Sequence, residues 1–513
     1  MDNHNKNNYA KFNFYEIQAV FTNAEIININ SDFQAIGVST NSKTVESKNI
    51  FVALKGEKFD GHNFINEAIS KNAAAIVVEK SWYNSKGVLH TPIDTIGHMQ
   101  YAPTNFPLII VENTLVALGE LAFFHRMKFD FPVIAIAGSN GKTSTKELIY
   151  SVLSQKYKTL KTYKNFNNKI GVPLMMLQFS EEYEMAIIEI ATNEPGEIAT
   201  LSKMLSPNFG LITNIGKEHL ELLKDLDEIE IEETFLFGHL LKTGGNCFIN
   251  FDDERLKKYA KIIPNNISYG VSVCHCGLVP QSPRYFQGIP HQVRNDENKG
   301  NEADFKAEID FDENLFPILK YKNPFSEEEK TYSAKINSVG LAIALNAVAA
   351  ATVGFGMGLN GEEVTKGLEN FSSTVDGYAR MAIEEINGIK ILNDCYNANP
   401  SSMEMSLKTL SLLKNFDTKI AILGDMFELG DSAEEEHKNI INLALEVANE
   451  VIVIGKNMTV AANAILVQKP VDIRIFADVL YIAEYISHFK NSNTVVLVKG
   501  SRGMKMEKLI EIM

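Results

Sequence analysis

Short, almost wholly apolar runs alternate along the chain with longer stretches in which apolar residues recur every third or fourth position. Runs of the first kind read as strands buried on both faces, and stretches of the second kind as helices laid over them. The strand-like runs include "AAIVVEK" (74–80), "FPLIIVE" (106–112), "EMAIIEIA" (184–191), "FGLITNI" (209–215), "NCFINFD" (246–252), "IKILND" (389–394), "KIAILGD" (419–425), "VIVIG" (451–455) and "TVVLVKG" (494–500). Their alternation with helical stretches such as "EIATLSKML" predicts α/β architecture with mostly parallel sheets.

The rhythm divides the chain into three expected domains. Residues 1–107 form a small α/β unit, 108–372 a central unit and 373–513 a doubly wound, Rossmann-like unit. The central unit opens clearly at "FPVIAIAGSNGKTSTKELIYSVLS", a buried strand, a Gly-rich turn and a helix. That opening predicts a P-loop mononucleotide-binding parallel sheet, flanked by the two other domains. "SVGLAIALNAVAAATVGFGM" (338–357) has small side chains that suit a tightly packed core helix better than a membrane span. The segment 273–304 has little periodicity and reads as a surface insertion, disordered or a long loop.

Charge narrows the partners. The 513 residues carry 64 acidic and 49 basic side chains, a net charge of −15, which argues against broad binding to nucleic acid or anionic membranes. A local basic pocket for an anionic small molecule is still open to it. The four cysteines, Cys247, Cys274, Cys276 and Cys395, make no usual zinc pattern. With a polar opening stretch in place of a secretory leader, they suggest a cytoplasmic protein with free thiols, expected to be monomeric.

The chemistry starts at "AGSNGKTST" (137–145). Gly138, Ser139, Asn140, Gly141, Lys142, Thr143 and Ser144 form a shortened phosphate loop between a strand and a helix. Loop N–H groups and the helix N-terminus favour phosphate oxygens. Lys142 is placed to reach the outer phosphates, and the Thr143 hydroxyl to meet Mg²⁺. ATP and Mg²⁺ are therefore the expected cofactors. Glu189, near a strand end, and His219, after the strand in "TNIGKEHLE" (213–221), stand where side chains reach a metal at a parallel sheet's C-terminal edge.

"DEIEIEETFLFGHL" (227–240) holds five carboxylates in its first seven residues. Taken as part of a helix over 222–241, with about 100° per residue, it puts Glu233 at the centre of an apolar stripe. Leu226, Ile229, Leu236, Phe237 and Leu240 all fall within about 60° of it. Glu228 and Glu232 are expected on the polar side, with Glu230 between. A carboxylate in the stripe needs a partner or a metal, so Glu233 joins the candidates.

Together with "KGEKFDGHNFINEA" (55–68), "NDCYNANPSSM" (393–403), "ILGDMFELG" (422–430) and "VKGSRGMKME" (498–507), these motifs make the chain resemble the Mur ligase family of peptidoglycan synthesis. The Asp394–Met403 and Leu423–Gly430 motifs look most like the branch that adds a dipeptide. That resemblance implies ATP-dependent joining of D-alanyl-D-alanine to UDP-N-acetylmuramoyl-tripeptide through an acyl phosphate. It implies that Lys142, Thr143, Glu189 and His219 serve ATP and metal, that Asn346, Arg380 and Asp394 serve the nucleotide, and that Ser42, Lys55, Gly56, Asp60, Gly61 and His62 bind the UDP-sugar end. Tyr396, Asn397, Asn399 and Lys499 match substrate-side motifs of the last domain. At position 233 the family typically has a carbamylated lysine, so Glu233 would be a built-in substitute for that anion. The chain departs from the pattern at Asn41-Ser42-Lys43, Leu222-Leu223-Lys224, Ala342, Ile343 and Ala379. A sister ligase adding one amino acid, and a non-catalytic ATP-binding protein, are the competing readings.

Overall fold

Three large sheets follow one another along the chain, with two-stranded pairs at Lys11–Asn13/Gln34–Ile36 and Thr374–Val375/Tyr378–Ala379. The computed structural model describes residues 8, 10–57, 59–85, 105–274, 302–372, 374–375, 378–379, 381–490 and 492–513. Arg380, Cys276 and most of the 273–304 segment lie outside the described residues.

The first sheet runs Glu25–Ile27, Leu108–Val111, Ala75–Glu79, Ile50–Val52, Val38–Ser39, antiparallel at the first pair and parallel beyond it. Leu108–Val111 was expected to lead into the central unit. It hydrogen-bonds into this first sheet instead, so the sheet of the first domain extends past residue 107. The next helix, Thr114–Arg126, does change sides and packs against Gly171–Met176 and Glu197–Leu205 of the central domain. Only Glu112 and Asn113 separate strand from helix, and Asn113 caps the helix by accepting from the Leu115 and Val116 N–H groups. One apolar cluster runs through both domains, from Phe12 and Ile17 through Ile109 and Leu118 to Val133 and Ile188.

The central sheet has nine strands. Its order is Thr331–Lys335, Pro317–Lys322, Phe305–Phe311, Asn266–Cys274, Asn246–Asn250, Phe209–Ile212, Val133–Ala137, Met185–Glu189, Thr159–Lys161. The first two pairings are antiparallel and the remainder parallel. The central strands Val133–Ala137 and Met185–Glu189 are buried at every position, as strands covered by helices on both faces must be. The Ala-rich stretch forms the 16-residue helix Leu341–Gly356, packed on Lys142–Leu153. Among the described residues no helix is long and apolar enough to cross a membrane.

The last sheet runs Ala382–Ile386, Ile389–Asn393, Thr494–Lys499, Thr418–Gly424, Glu450–Ile454, Ile473–Phe476, parallel except for its first pair.

The acidic run lies in the helix Leu226–Thr243, which starts four residues later than expected, at the Asp225 cap. The apolar stripe is where the phase put it. Ile229, Leu236, Phe237 and Leu240 are at most 1% exposed, each contributing about 2 kcal/mol of burial. The polar side is drier than expected. Glu232 is 2% exposed and Glu230 8%. Glu232 accepts hydrogen bonds from Gly196 N–H (2.7 Å), Ile198 N–H (2.8 Å) and the Thr192 hydroxyl (3.3 Å). Glu230 is held by Arg255, Lys258 and Tyr259. Partners distant in sequence cover both residues, and a helical wheel does not contain them.

Candidate active site

The strand Val133–Ala137 ends in the loop 138–141, which feeds the helix Lys142–Leu153. Gly138 has φ +111°, and a Cβ there would lie 2.4 Å from Thr213 Oγ1, so only glycine fits. The loop is strapped to the next strand end. Asn214 O accepts from Ser139 N–H (2.9 Å), Asn214 Oδ1 from Asn140 N–H (3.1 Å), and Asn140 O from the Thr213 hydroxyl (2.6 Å). No side chain caps the helix at Gly141. The N–H groups of its first turn, with the positive end of the helix dipole, are left for an anion.

This loop opens on a cavity of about 720 Å³ between the central and last domains. Ser139, Asn140, Gly141, Lys142, Thr143, Ser144, Glu189, His219 and Asn346 line it from the central domain, and Asp394, Tyr396, Asn397, Asn399 and Lys499 from the last. Gly138, the first residue of the loop, and Glu233 behind it do not line the cavity. Asn250, Asp252, Tyr269, Ala342 and Ile343 form a further part of the wall, where burial pushes the Asp252 carboxyl up to about 6.

Lys142 is the centre of charge. Its ammonium hydrogen-bonds to Gly138 O and lies 3.7 Å from Glu218 Oε2. Burial alone would lower its pKa, but the charges of Glu218, Glu233 and Glu189 raise it. Glu189 Oε1 accepts from the Thr143 hydroxyl (3.2 Å) and Asn167 (2.9 Å). Glu233 Oε2 accepts from Gly138 N–H at 2.7 Å. Burial, with Glu218 and Glu232 adding their charges, pushes the Glu233 carboxyl up to about 8 against the pull of Lys142. Burial also raises Glu218. Three buried carboxylate oxygens, Glu189 Oε2, Glu218 Oε1 and Glu233 Oε1, have no hydrogen-bond partner. Lys146 Nζ lies 3.6 Å from Glu189 Oε2, and the oxygens left without hydrogen bonds are available to a divalent cation. Among the described residues no three His, Cys, Asp or Glu side chains converge as a resident metal centre would. The Thr143 hydroxyl and the Glu189 carboxylate are oxygen donors of the kind Mg²⁺ takes, one or two from protein with water and phosphate completing the shell.

The last domain is docked on this loop. Asn399 donates to Asn140 Oδ1 (2.9 Å), and Ser401 Oγ accepts from Lys217 N–H (3.0 Å). Lys217 also pairs with Glu436 at 2.6 Å. Lys499 bonds Asp394 (2.5 Å) and Asn397 O (2.9 Å), bracing the segment that carries Tyr396 and Asn399.

The family models match along most of the chain. The Mur ligase family catalytic domain covers residues 35–126, the Mur ligase middle domain 136–354, and the Mur ligase glutamate ligase domain 379–502. The chain belongs to the Mur ligase family. It is 30% identical over 477 residues to the UDP-N-acetylmuramoyl-tripeptide–D-alanyl-D-alanine ligase of Bacillus subtilis, covering 93% of this chain and 92% of that one. A crystal structure of MurF from Acinetobacter baumannii superposes with a TM-score of 0.78 at 25% identity, covering 98% of each chain. The Thermotoga maritima MurF ligase in complex with ADP gives 0.73 at 25% identity, over 93% of this chain and 96% of that one. This Mur ligase is thus an ATP-dependent amide ligase of peptidoglycan precursor synthesis, most like the D-alanyl-D-alanine-adding members.

The remaining candidates of this Mur ligase sit in the first domain, away from the cavity. The Ser42 hydroxyl donates to Glu67 (2.8 Å), and Lys71 binds Ser42 O (2.6 Å). Lys55 bridges to Asp60 through the backbone. Gly61 packs on Leu54, where a Cβ would meet backbone at 2.7 Å. His62, stacked on Trp82, has both ring nitrogens engaged, Nδ1 with Asp60 (2.6 Å) and Nε2 with Glu79 N–H (3.0 Å). It shapes the loop, and no ring nitrogen is left over for a ligand. Among the cavity residues absent from the sequence candidates, Glu218 and Glu428 bear on His219. Both lie in quoted motifs, but nothing in the local pattern says that they meet.

Proposed function

We propose that this Mur ligase joins D-alanyl-D-alanine to UDP-N-acetylmuramoyl-tripeptide. The observation that carries the reading is the docking of the Asp394–Met403 segment, the motif of dipeptide-adding members, on the 138–143 loop through Asn399–Asn140 and on the adjoining turn of residues 213–221 through Ser401–Lys217. The loop and the uncapped helix start would hold the ATP phosphates, with Lys142 leaving its carbonyl partners for the outer phosphate oxygens. Thr143 and Glu189 would hold Mg²⁺, with His219 at a second position. The metal would screen charge between the carboxylate nucleophile and the phosphate.

In the reaction, a carboxylate oxygen of the tripeptide bonds to the γ-phosphorus and the bond to the bridging oxygen breaks, releasing ADP. The amine nitrogen of the dipeptide then attacks the acyl carbon. It loses a proton as the carbon–oxygen bond to phosphate breaks. Docking of the last domain shields the acyl phosphate from water. Arg380, outside the described residues, belongs to the nucleotide side in this reading, and Ser42, Lys55 and Asp60 to the UDP-sugar side. Glu233 stands behind the loop at the position of the family's carbamylated lysine and would supply that negative charge once ionised, a form that a cation at the site would favour. To act on a metal directly, its shorter side chain would need a small helix shift or a bridging water.

The test is phosphate release with purified protein, ATP and Mg²⁺. The expected result is release that needs both the tripeptide substrate and the dipeptide, with the amide product seen by mass spectrometry. Release with a single amino acid in place of the dipeptide would assign the chain to a sister activity, and ATP binding without amide formation would overturn the enzyme reading.

A further inference from the structure

The "LGDMFELG" motif has no part in the chemistry above, yet it reaches the site. Glu428 Oε2 lies 2.6 Å from His219 Nδ1, across the boundary between the last and central domains. Glu428 O accepts from Glu221 N–H at 3.1 Å, so backbone and side chain both meet the His219 turn. Each tip is a non-glycine residue in the left-handed region, His219 at φ +47° and Glu428 at φ +63°. Such residues are uncommon, and each costs on the order of 1 kcal/mol, so the surrounding structure holds them there. The approach is close enough that a Cβ on Gly430 (φ +52°) would lie 3.1 Å from Glu221 Cα. On the other edge of the ring, His219 Nε2 lies 3.9 Å from Glu218 Oε2, itself 3.7 Å from the Lys142 ammonium.

The ring is therefore gripped at Nδ1 by one domain while Nε2 looks toward the phosphate loop of the other. The Glu428 side chain is 60% exposed. An ion pair that open to water contributes little to stability. What it does fix is which nitrogen carries a proton and which way the ring faces. A carboxylate on Nδ1–H leaves the Nε2 lone pair for a metal.

We infer that Glu428 is a positioning residue, carried in by the last domain, that turns His219 Nε2 toward the cavity and completes the second metal position only when the domains are docked. This rests on the proposed use of ATP and a divalent cation. It makes metal binding and docking two sides of one equilibrium, because a group delivered by docking strengthens the metal site and, reciprocally, the metal favours docking.

The experiment uses the full-length protein with Glu428→Ala, Glu428→Gln and His219→Ala, and Mn²⁺ as the probe. Mn²⁺ affinity is read by electron paramagnetic resonance in the presence of a non-hydrolysable ATP analogue. Steady-state ligation gives kcat and KM separately. Glu428→Ala is expected to weaken the Mn²⁺ site that needs His219 by about 10- to 100-fold and to lower kcat by a similar factor. KM for ATP should change by less than about threefold, since Glu428 acts through His219 and not on the nucleotide itself. Glu428→Gln, which keeps an acceptor oxygen for Nδ1–H, should recover most of the loss. Adding Glu428→Ala to His219→Ala should cost nothing further. Unchanged Mn²⁺ affinity in Glu428→Ala, or additive losses in the double variant, overturns the inference while leaving the ligase reading intact. Absence of nucleotide-dependent Mn²⁺ binding in the parent protein overturns both.

Discussion

Two neighbouring acids should respond to the same substitution in opposite directions. Glu232 satisfies three donors with its two oxygens, whereas Glu233 satisfies one and leaves Oε1 without a partner. In Glu232→Gln an N–H₂ group replaces an oxygen and must face a backbone N–H or the Thr192 hydroxyl. With bonds to a charged acceptor contributing about 1.5–3 kcal/mol each, the loss is about 2–4 kcal/mol. In Glu233→Gln the burial penalty disappears. Burial pushes the Glu233 carboxyl up to about 8 in the fold, from about 4.5 in the unfolded chain. Because the folded value is the higher one, its contribution to stability is complete below pH 4.5 and is lost as the pH rises through 8. At pH 7 about 3 kcal/mol has gone from the parent protein, and the amide does not pay it. The assay is urea unfolding with EDTA present at pH 5, 7 and 8, following the transition of the central domain, with hydrogen exchange in the helix Glu197–Leu205 as a local reading. Glu233→Gln should be more stable than the parent at pH 7, by a margin that nearly closes at pH 5, and should ligate more slowly with Mg²⁺. Glu232→Gln should be less stable throughout. A Glu233→Gln protein no more stable than the parent at pH 7 and 8, or more stable by the same amount at pH 5, refutes the reasoning.

Gly138→Ala should abolish measurable nucleotide binding by calorimetry, since its Cβ would lie 2.4 Å from Thr213 Oγ1 in a backbone conformation that alanine resists. Ligation should not respond to added bicarbonate, even at low pH, because position 233 is already a carboxylate; a marked response points to a lysine such as Lys224 or Lys242. Burial holds His125 down to about 4 while its Nε2 bonds Phe179 O at 2.9 Å, so the stability it contributes is complete above about pH 6.5 and lost as pH falls through 4, about 3 kcal/mol in all. His125→Gln should flatten that part of the acid limb in thermal melts recorded from pH 7 to 4.

The buried strands were legible because a strand covered on both faces must be apolar along its whole length, as Val133–Ala137 and Met185–Glu189 are. So was the phase of Glu233, since helical geometry alone fixes which neighbours share its side. What escaped was whatever depends on a distant partner. Glu232 is as dry as the apolar stripe because the turn after Glu189 lays its N–H groups on it. Leu108–Val111 could have joined either sheet by its composition, and its pairing with Ala75–Glu79 and Glu25–Ile27 decides the matter. His219 and Glu428 stand far apart in the chain, and only the docking of two domains makes them neighbours.

The seam at Glu112–Asn113 has a consequence for anyone wishing to exchange modules between relatives. Three domains suggest three interchangeable pieces, but the apolar cluster shared by Phe12, Ile17, Leu118 and Val133 makes the first two a single casting. A chimera cut at that seam would have to match two halves of one core. A cut between the helix Gly361–Glu369 and the strand Ala382–Ile386 also parts an apolar cluster, but Leu315 and Val339 are its only buried members from the central domain among the described residues, beside polar contacts such as Asn140–Asn399 and Lys217–Glu436. Grafting should therefore be tolerated better at the second boundary than at the first, provided Leu315 and Val339 meet a matching surface, and an entire last domain is the natural unit of exchange.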